Sequence, residues 1–385
     1  MEKVALLKCT EYDVDTIENK LREGFELLGG KSFLSTLIPS GSKVLLKPNL
    51  LSIVEKGSPV ITHYALFEAV IRIVKEYSSN IVFGDSPGFA DTTKAAEKSG
   101  LMEVADRYGV KFVDFNEEIH VELKSPLMYK YWDVAKAPYE ADVVITLPKL
   151  KTHAMMYYTG AVKNQFGCIA GHKKSEWHTK LQDSVKFSKM LLDLNSVVKT
   201  SFAILDGIVA MEGNGPRNGT PRKMDTIIMG KCLTAVDSTA VRLIGYDNVL
   251  AVPFLKVAKE SKWGAVLPEE IEILGEELET MKCKDFKLSR SAKVVNFLTP
   301  SLNKLASSLT APDPVLIEEK CIGCKRCDEV CPERSKVITF VKRNGKEVPK
   351  WNYSNCIRCF CCQELCPKGA IVTKDKKLSK MLGLR

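Results

Sequence analysis

Eight of the thirteen cysteines fall into two copies of one spacing. Cys321, Cys324, Cys327 and Cys331 are separated by two, two and three residues and followed by Pro332. Cys356, Cys359, Cys362 and Cys366 repeat the pattern and are followed by Pro367. Three thiolates at such intervals on a tight loop can wrap three irons of a cubane, while the fourth, just before a proline, turns away to a second cubane. The spacing therefore predicts two 4Fe–4S clusters with crossed ligation. Cys321, Cys324, Cys327 and Cys366 take one, and Cys356, Cys359, Cys362 and Cys331 take the other. Structural zinc is the weaker reading, because zinc favours two separated Cys-x2-Cys pairs and a run of three crowds a tetrahedral ion. Cys361, lying between ligands, reads as a small packed thiol.

A second set of reactive residue types lies upstream. Lys47-Pro48-Asn49, Gly84-Asp85-Ser86-Pro87-Gly88, Pro148-Lys149-Leu150-Lys151-Thr152-His153 and Asp206-Gly207 each follow an apolar run. Gly160-Ala161-Val162-Lys163-Asn164 and Glu212-Gly213-Asn214-Gly215-Pro216 lie nearby in sequence. Converging lysines, amides and glycine backbone donors suit an anionic ligand, carboxylate or phosphate. Lys149, Lys151 and Lys163 are the candidate anion holders and His153 the candidate for proton transfer. Asp85 and Glu212 are further acid–base candidates. Each also has an ordinary reading as turn chemistry, a solvated lysine or a hydrogen-bonded histidine. Asp206, Glu212 and Asp237 could bind a metal or act as acid–base groups, although Asp237 sits near a helix start and reads as a cap. His172 and His178, beside Lys173, Lys174 and Trp177, read as an exposed basic loop. Neither a Gly-x-Gly-x-x-Gly after the first strand nor a P-loop is present, which argues against classical nicotinamide and ATP sites.

In this order, Lys-Pro-Asn-Leu, Gly-Asp-Ser-Pro-Gly, Leu-Pro-Lys-Leu-Lys-Thr-His, Gly-Ala-Val-Lys-Asn and Asp-Gly-Ile-Val-Ala-Met-Glu-Gly-Asn-Gly-Pro resemble the family named domain of unknown function 362. The likeness covers roughly residues 1–280. The C-terminal part resembles a two-cluster bacterial-type ferredoxin, a fusion found in that family. The resemblance implies that the loops form one shared site. It supplies no substrate.

Those residues need elements to hold them. Apolar runs at Val4–Leu7, Val44–Leu46, Ile81–Phe83, Val110–Val113, Val143–Leu147, Phe202–Leu205, Ile227–Met229 and Ile271–Leu274 read as buried parallel strands. Helical spacing appears at Val14–Leu28, Ala65–Tyr77, Thr93–Tyr108, Leu181–Val198, Ala235–Ile244 and Val252–Lys259. Alternation of this kind predicts an α/β fold with a mostly parallel, doubly wound sheet, whose ligands bind beyond the carboxyl ends of the strands. The stretch between Leu147 and Phe202 exceeds one crossover helix and must hold extra structure. Near the C-terminus, Val337–Val341 followed by Asn344-Gly345 reads as a hairpin. Ala370-Ile371-Val372 echoes Val337-Ile338-Thr339, as in the internal repeat of an α+β two-cluster ferredoxin-like domain.

The expected organisation is an α/β domain over 1–281, a linker with an amphipathic helix over 282–311, the ferredoxin-like domain over 312–373 and a basic tail over 374–385. That third unit is too small for much of a core, so bound clusters would supply most of its folding energy. The formal net charge of +9 is modest, and no basic run interleaved with aromatics points to nucleic acid. There is neither a signal-peptide pattern nor an apolar run of transmembrane length. Metal-type cysteine spacing suits a reducing compartment, hence the cytoplasm. Together these features predict an iron–sulfur oxidoreductase that receives electrons from a redox partner protein and passes them to a small anionic substrate. A non-catalytic electron carrier and a cluster-delivery factor are the alternatives.

Overall fold

The computed structural model describes residues 1–289 and 312–376, except 89, 182, 334, 335 and 375. The expected linker helix and most of the basic tail lie outside the described residues, as does the side chain of His172.

The α/β module holds β1 (Glu2–Lys8), β2 (Val44–Pro48), β3 (Ile81–Phe83), β4 (Lys111–Phe112), β5 (Glu118–Glu122), β6 (Tyr131–Ala135) and β7 (Val143–Leu147). It continues with β8 (Lys149–His153), β9 (Tyr157–Thr159), β10 (Phe202–Glu212), β11 (Thr220–Gly230) and β12 (Ile271–Gly275). The main row runs β12-β1-β11-β10-β7-β2-β3-β4, with β8 beside β10 and β9 beside β8, while β5 and β6 form a separate hairpin. Successive residues of β1 face opposite sides: Val4 and Leu6 join one buried core and Ala5 and Leu7 the other. Helices Val14–Leu27 and Tyr64–Lys75 fill the second core, and Ser184–Val198, Leu233–Leu243 and Pro253–Ser261 the first. Covered on both faces, β2, β3 and β7 inside the row are buried at every position, as a doubly wound sheet requires.

Three features depart from the sequence reading. The run Ile227–Met229 is antiparallel to both β1 and β10, so one antiparallel strand interrupts an otherwise parallel row. A strand buried on both faces reads the same in either direction. The single helix expected over Thr93–Tyr108 is two, Thr92–Lys98 and Leu101–Tyr108, broken where Gly100 takes φ +81°. Lys149–His153, read as a loop after a strand, is itself a strand, parallel to β10 and antiparallel to β9. The extra structure between Leu147 and Phe202 is this β8–β9 hairpin followed by short helices, among them Ala161–Asn164 and Lys174–Lys180. The packed chain also runs past 281, with Phe286 buried in the first core.

The ferredoxin-like module contains β13 (Asp313–Leu316), β14 (Ile338–Arg343), β15 (Lys346–Trp351) and β16 (Ile371–Lys374). β14 and β15 form the expected hairpin, turned by Asn344 and Gly345 at φ +47° and +75°. β13 pairs with β16, bringing the two ends of the module together. The internal repeat is visible in the backbone. Lys325 and Phe360, at φ +58° and +62°, each precede a four-residue helix, Arg326–Glu329 and Cys361–Glu364.

Candidate functional site

The two short helices of the ferredoxin-like module set the thiols. Cys321, Cys324, Cys327 and Cys366 line one cavity, and Cys331, Cys356, Cys359 and Cys362 line another. The grouping is the crossed one, with the fourth cysteine of each motif turned towards the other set. Four thiols ring each of the two cavities, an arrangement that suits a four-iron cubane with crossed ligation. The amide of Ala370 donates to Cys366 Sγ at 3.2 Å, a bond of the kind that tunes a cluster. Cys361 is buried beside both sets of surroundings: it follows the thiols of one and also lines the chamber described next.

That chamber lies between the two modules. It encloses about 60 Å³ and is lined by Lys151, Lys163, Lys174, His178, Asp85 and Asn164, among others, with Cys361, Glu364 and Leu365 on the ferredoxin side. β8 delivers Lys151, whose Nζ donates to Asn49 Oδ1 at 2.6 Å and to the Val60 carbonyl at 2.7 Å. The helix Ala161–Asn164 delivers Lys163. Its first amides are held from outside by Asp237, which accepts from Ala161 N at 2.7 Å, Val162 N at 2.9 Å and Tyr158 Oη at 2.9 Å. Asp237 thus lies inside its own helix and caps a different one, and burial pushes its carboxyl up to about 7.

The ionisable groups sort into satisfied and unsatisfied sets. Lys47 and Asp85 are a buried pair at 2.7 Å, with Asp85 also accepting from Leu50 N at 2.8 Å. Lys149 pairs with Asp206 at 2.8 Å and donates to Tyr12 Oη, and Asp206 further accepts from Tyr12 Oη and His63 N. Neither Lys149 nor Glu212 is among the chamber-lining residues. Glu212 accepts from Lys287 N at 3.0 Å. Lys151 and Lys163 are buried with no carboxylate in ion-pair distance among the described residues. Desolvation, then repulsion from Lys163, brings Lys151 down to about 7, and desolvation lowers Lys163.

His153 is 1% exposed. Its Nδ1 accepts from Met155 N at 3.1 Å and Met156 N at 3.2 Å, which places the ring proton on Nε2. That nitrogen has no hydrogen-bond partner and faces Glu364 Oε2 at 3.8 Å. Burial and the neighbouring cations hold the ring well below the usual imidazole range, so it stays neutral. His178, expected on an exposed loop, is 4% exposed and stacks on Phe187; its Nδ1 is also unpartnered and burial lowers it to about 4.

The seam beside the chamber is hydrogen-bonded. The turn after β10 presents Asn214, whose carbonyl accepts from Gln363 and whose side chain accepts from Thr373, and Arg217 and Asn218, which donate to the Pro367 and Ile371 carbonyls. Leu365 packs against Gly88, where a Cβ would lie 2.6 Å from its Cδ2. Lys151, Lys163 and Asp85 are therefore brought together. Lys174, His178 and Glu364 join them without any spacing signal, since they come from a short helix and a cysteine motif that reads as complete by itself. A wider surface pocket of about 490 Å³ includes Ser86 of the chamber lining but is bordered by Asp91 and Asp114, which disfavour an anion there.

Residues 44–242 match the model of a domain of unknown function (DUF362), and residues 320–370 match a 4Fe-4S dicluster domain. A thylakoid-associated protein of Synechocystis sp. is 33% identical over 248 residues, covering 64% of this chain and 76% of that protein. Among solved structures, the lactate racemase apoprotein of Thermoanaerobacterium thermosaccharolyticum aligns at TM-score 0.39 and 12% identity, covering 55% of this chain and 51% of the other. A Thermotoga maritima protein aligns at TM-score 0.35 and 13% identity, over 53% and 52%. The chain spans about half the length of these solved structures. It carries a 4Fe–4S ferredoxin-type domain, and it belongs to the domain of unknown function 362 family.

Proposed function

We propose that the protein binds two 4Fe–4S clusters and delivers electrons to a small anionic molecule held in the chamber between its modules. One observation carries this reading. In the four-residue helix Cys361–Glu364, Cys362 belongs to one thiol set while Cys361 and Glu364 line the lysine chamber. Bound clusters would supply reducing equivalents one at a time. The protein's own side chains do the rest. Lys151 and Lys163 hold negative charge, and the ferredoxin face shields the chamber from water, which strengthens both contacts.

Reduction of an organic group needs protons as well as electrons. His153 was the sequence candidate, but a neutral ring whose Nδ1 is occupied by two amides donates a hydrogen bond from Nε2 rather than a proton. Lys151, with its ammonium lowered to about 7, is matched to release a proton near neutral pH. Asp85 positions Lys47 and the backbone at Leu50. Electrons would come from a redox partner protein in a reducing compartment. Among the described residues no helix is long and apolar enough to cross a membrane.

The test is anaerobic reoxidation of reduced protein, followed by cluster absorbance, with a panel of small 2-oxo and unsaturated carboxylic acids. Lys163→Met should slow acceptor-dependent reoxidation at least about tenfold, the size of one lost charge contact, with iron and acid-labile sulfide unchanged. Equal rates in the variant and the parent would leave the α/β module as a docking surface only.

A further inference from the structure

The chamber has more positive charge than the protein itself neutralises. Lys151, Lys163 and Lys174 border it, and Lys47 is already matched by Asp85. Two carboxylates line it: Asp85, already paired with Lys47, and Glu364, whose side chain is 14% exposed. The field of Glu364 reaches Lys151, Lys163, Lys174 and His178, yet among the described residues its carboxylate pairs with none of them, and the neutral His153 Nε2 lies 3.8 Å away, too long for a hydrogen bond. His153 Nε2 and His178 Nδ1 are both buried without partners. Unpaired buried polar atoms and uncompensated buried cations are costly, and of the two rings His178 lines the chamber, so an anion bound there meets the lysines and His178 together.

Size narrows the ligand. A water-sized sphere needs about 10–15 Å³, so about 60 Å³ takes roughly four or five non-hydrogen atoms. We infer that this chamber is a binding site for a single small oxyanion of acetate or phosphate size, held by Lys151, Lys163 and His178, and that Glu364 of the ferredoxin-like module competes with it for those cations. This deepens the anionic-ligand reading above but needs no electron to move. Glu364 acts as an internal stand-in: it keeps the lysines partly neutralised when no ligand is present. The ligand then meets cations that Glu364 screens from a distance without pairing to them. The partner chemistry is an oxyanion in either case; a planar carboxylate and a tetrahedral phosphate are told apart by which probe binds.

Isothermal titration calorimetry on anaerobic, cluster-loaded, full-length protein tests this with sodium acetate and inorganic phosphate as probes. The expected result is saturable binding of one equivalent of at least one probe. Glu364→Gln should tighten it about tenfold by removing a competing charge, and Lys163→Met should weaken it at least as much. Lys163 makes no hydrogen bond within the protein among the described residues, so its replacement leaves the fold in place; unchanged thermal melting of the holoprotein checks this. No saturable heat from either probe in the parent and in Glu364→Gln overturns the site. Equal or weaker binding in Glu364→Gln overturns the competition. Oxyanion binding together with acceptor-dependent reoxidation that is unchanged in Lys163→Met leaves this site standing and sinks the electron-transfer reading. Lys163-dependent reoxidation without oxyanion binding does the reverse.

Discussion

Lys151 and Lys149 stand two residues apart on β8 and meet opposite fates. Lys149 is fully matched by Asp206, so Lys149→Met strands a buried carboxylate and should cost about 3–5 kcal/mol in chemical denaturation. Lys151 has amide and carbonyl acceptors but no counter-charge, and its burial lowers it to about 7. The sign follows: Lys151 is charged below that value and neutral above it. Anion affinity should rise as pH falls from about 9 to 6 and flatten below, and in Lys151→Met that slope should shrink. Calorimetry across that range reads both. The folded protein binds fewer protons than the unfolded chain between about 7 and the usual lysine value, so this group favours stability as pH rises through that window. The lysines were legible in the sequence as chemistry, because they recur after apolar runs. Their division into paired and unpaired was not, because it depends on Asp206 and Asp85 arriving from distant strands. Glu364 was hidden by its setting between two cysteines.

Single strands and turns show the same division. Runs such as Val143–Leu147 and Ile81–Phe83 could be read directly, since burial on both faces leaves an unbroken apolar signature. β8 could not, because Lys-Leu-Lys-Thr-His alternates like a solvated loop until Asp206 and Tyr12 meet Lys149 and the chamber lining meets Lys151. Gly167 was also silent. A Cβ there would lie 1.9 Å from Asp85 Oδ1 and 2.5 Å from Lys47 Nζ, so the turn after the helix Ala161–Asn164 passes against the buried pair with no room for a methyl. Gly167→Ala should force that pair aside, lower stability by about 1–3 kcal/mol and weaken anion binding, as read by denaturation and calorimetry on the same sample.

At the level of the whole molecule, the cysteine motifs announced a second module but not where it would rest. Its position follows from polar contacts whose partners no motif names: Asn214, Arg217 and Asn218 meet Gln363, Pro367, Ile371 and Thr373. Few apolar residues back the thiols there, chiefly Val337, Ile338, Trp351, Ala370 and Ile371, so stripping iron should loosen that module first. Hydrogen–deuterium exchange after chelation should then rise at β8, at 160–167 and at 213–218, while β1, β2 and β7 stay protected. Unchanged exchange around the chamber would mean that the modules stay docked without the metal.

The antiparallel return of β11 gives β10 its hairpin, and the tip of that hairpin grips the ferredoxin-like module. On the proposed function, donor and acceptor centres would thereby be spaced by folding rather than by chance encounter. Discharge of a reduced protein into its ligand would follow first-order kinetics, with a half-time indifferent to dilution of the protein.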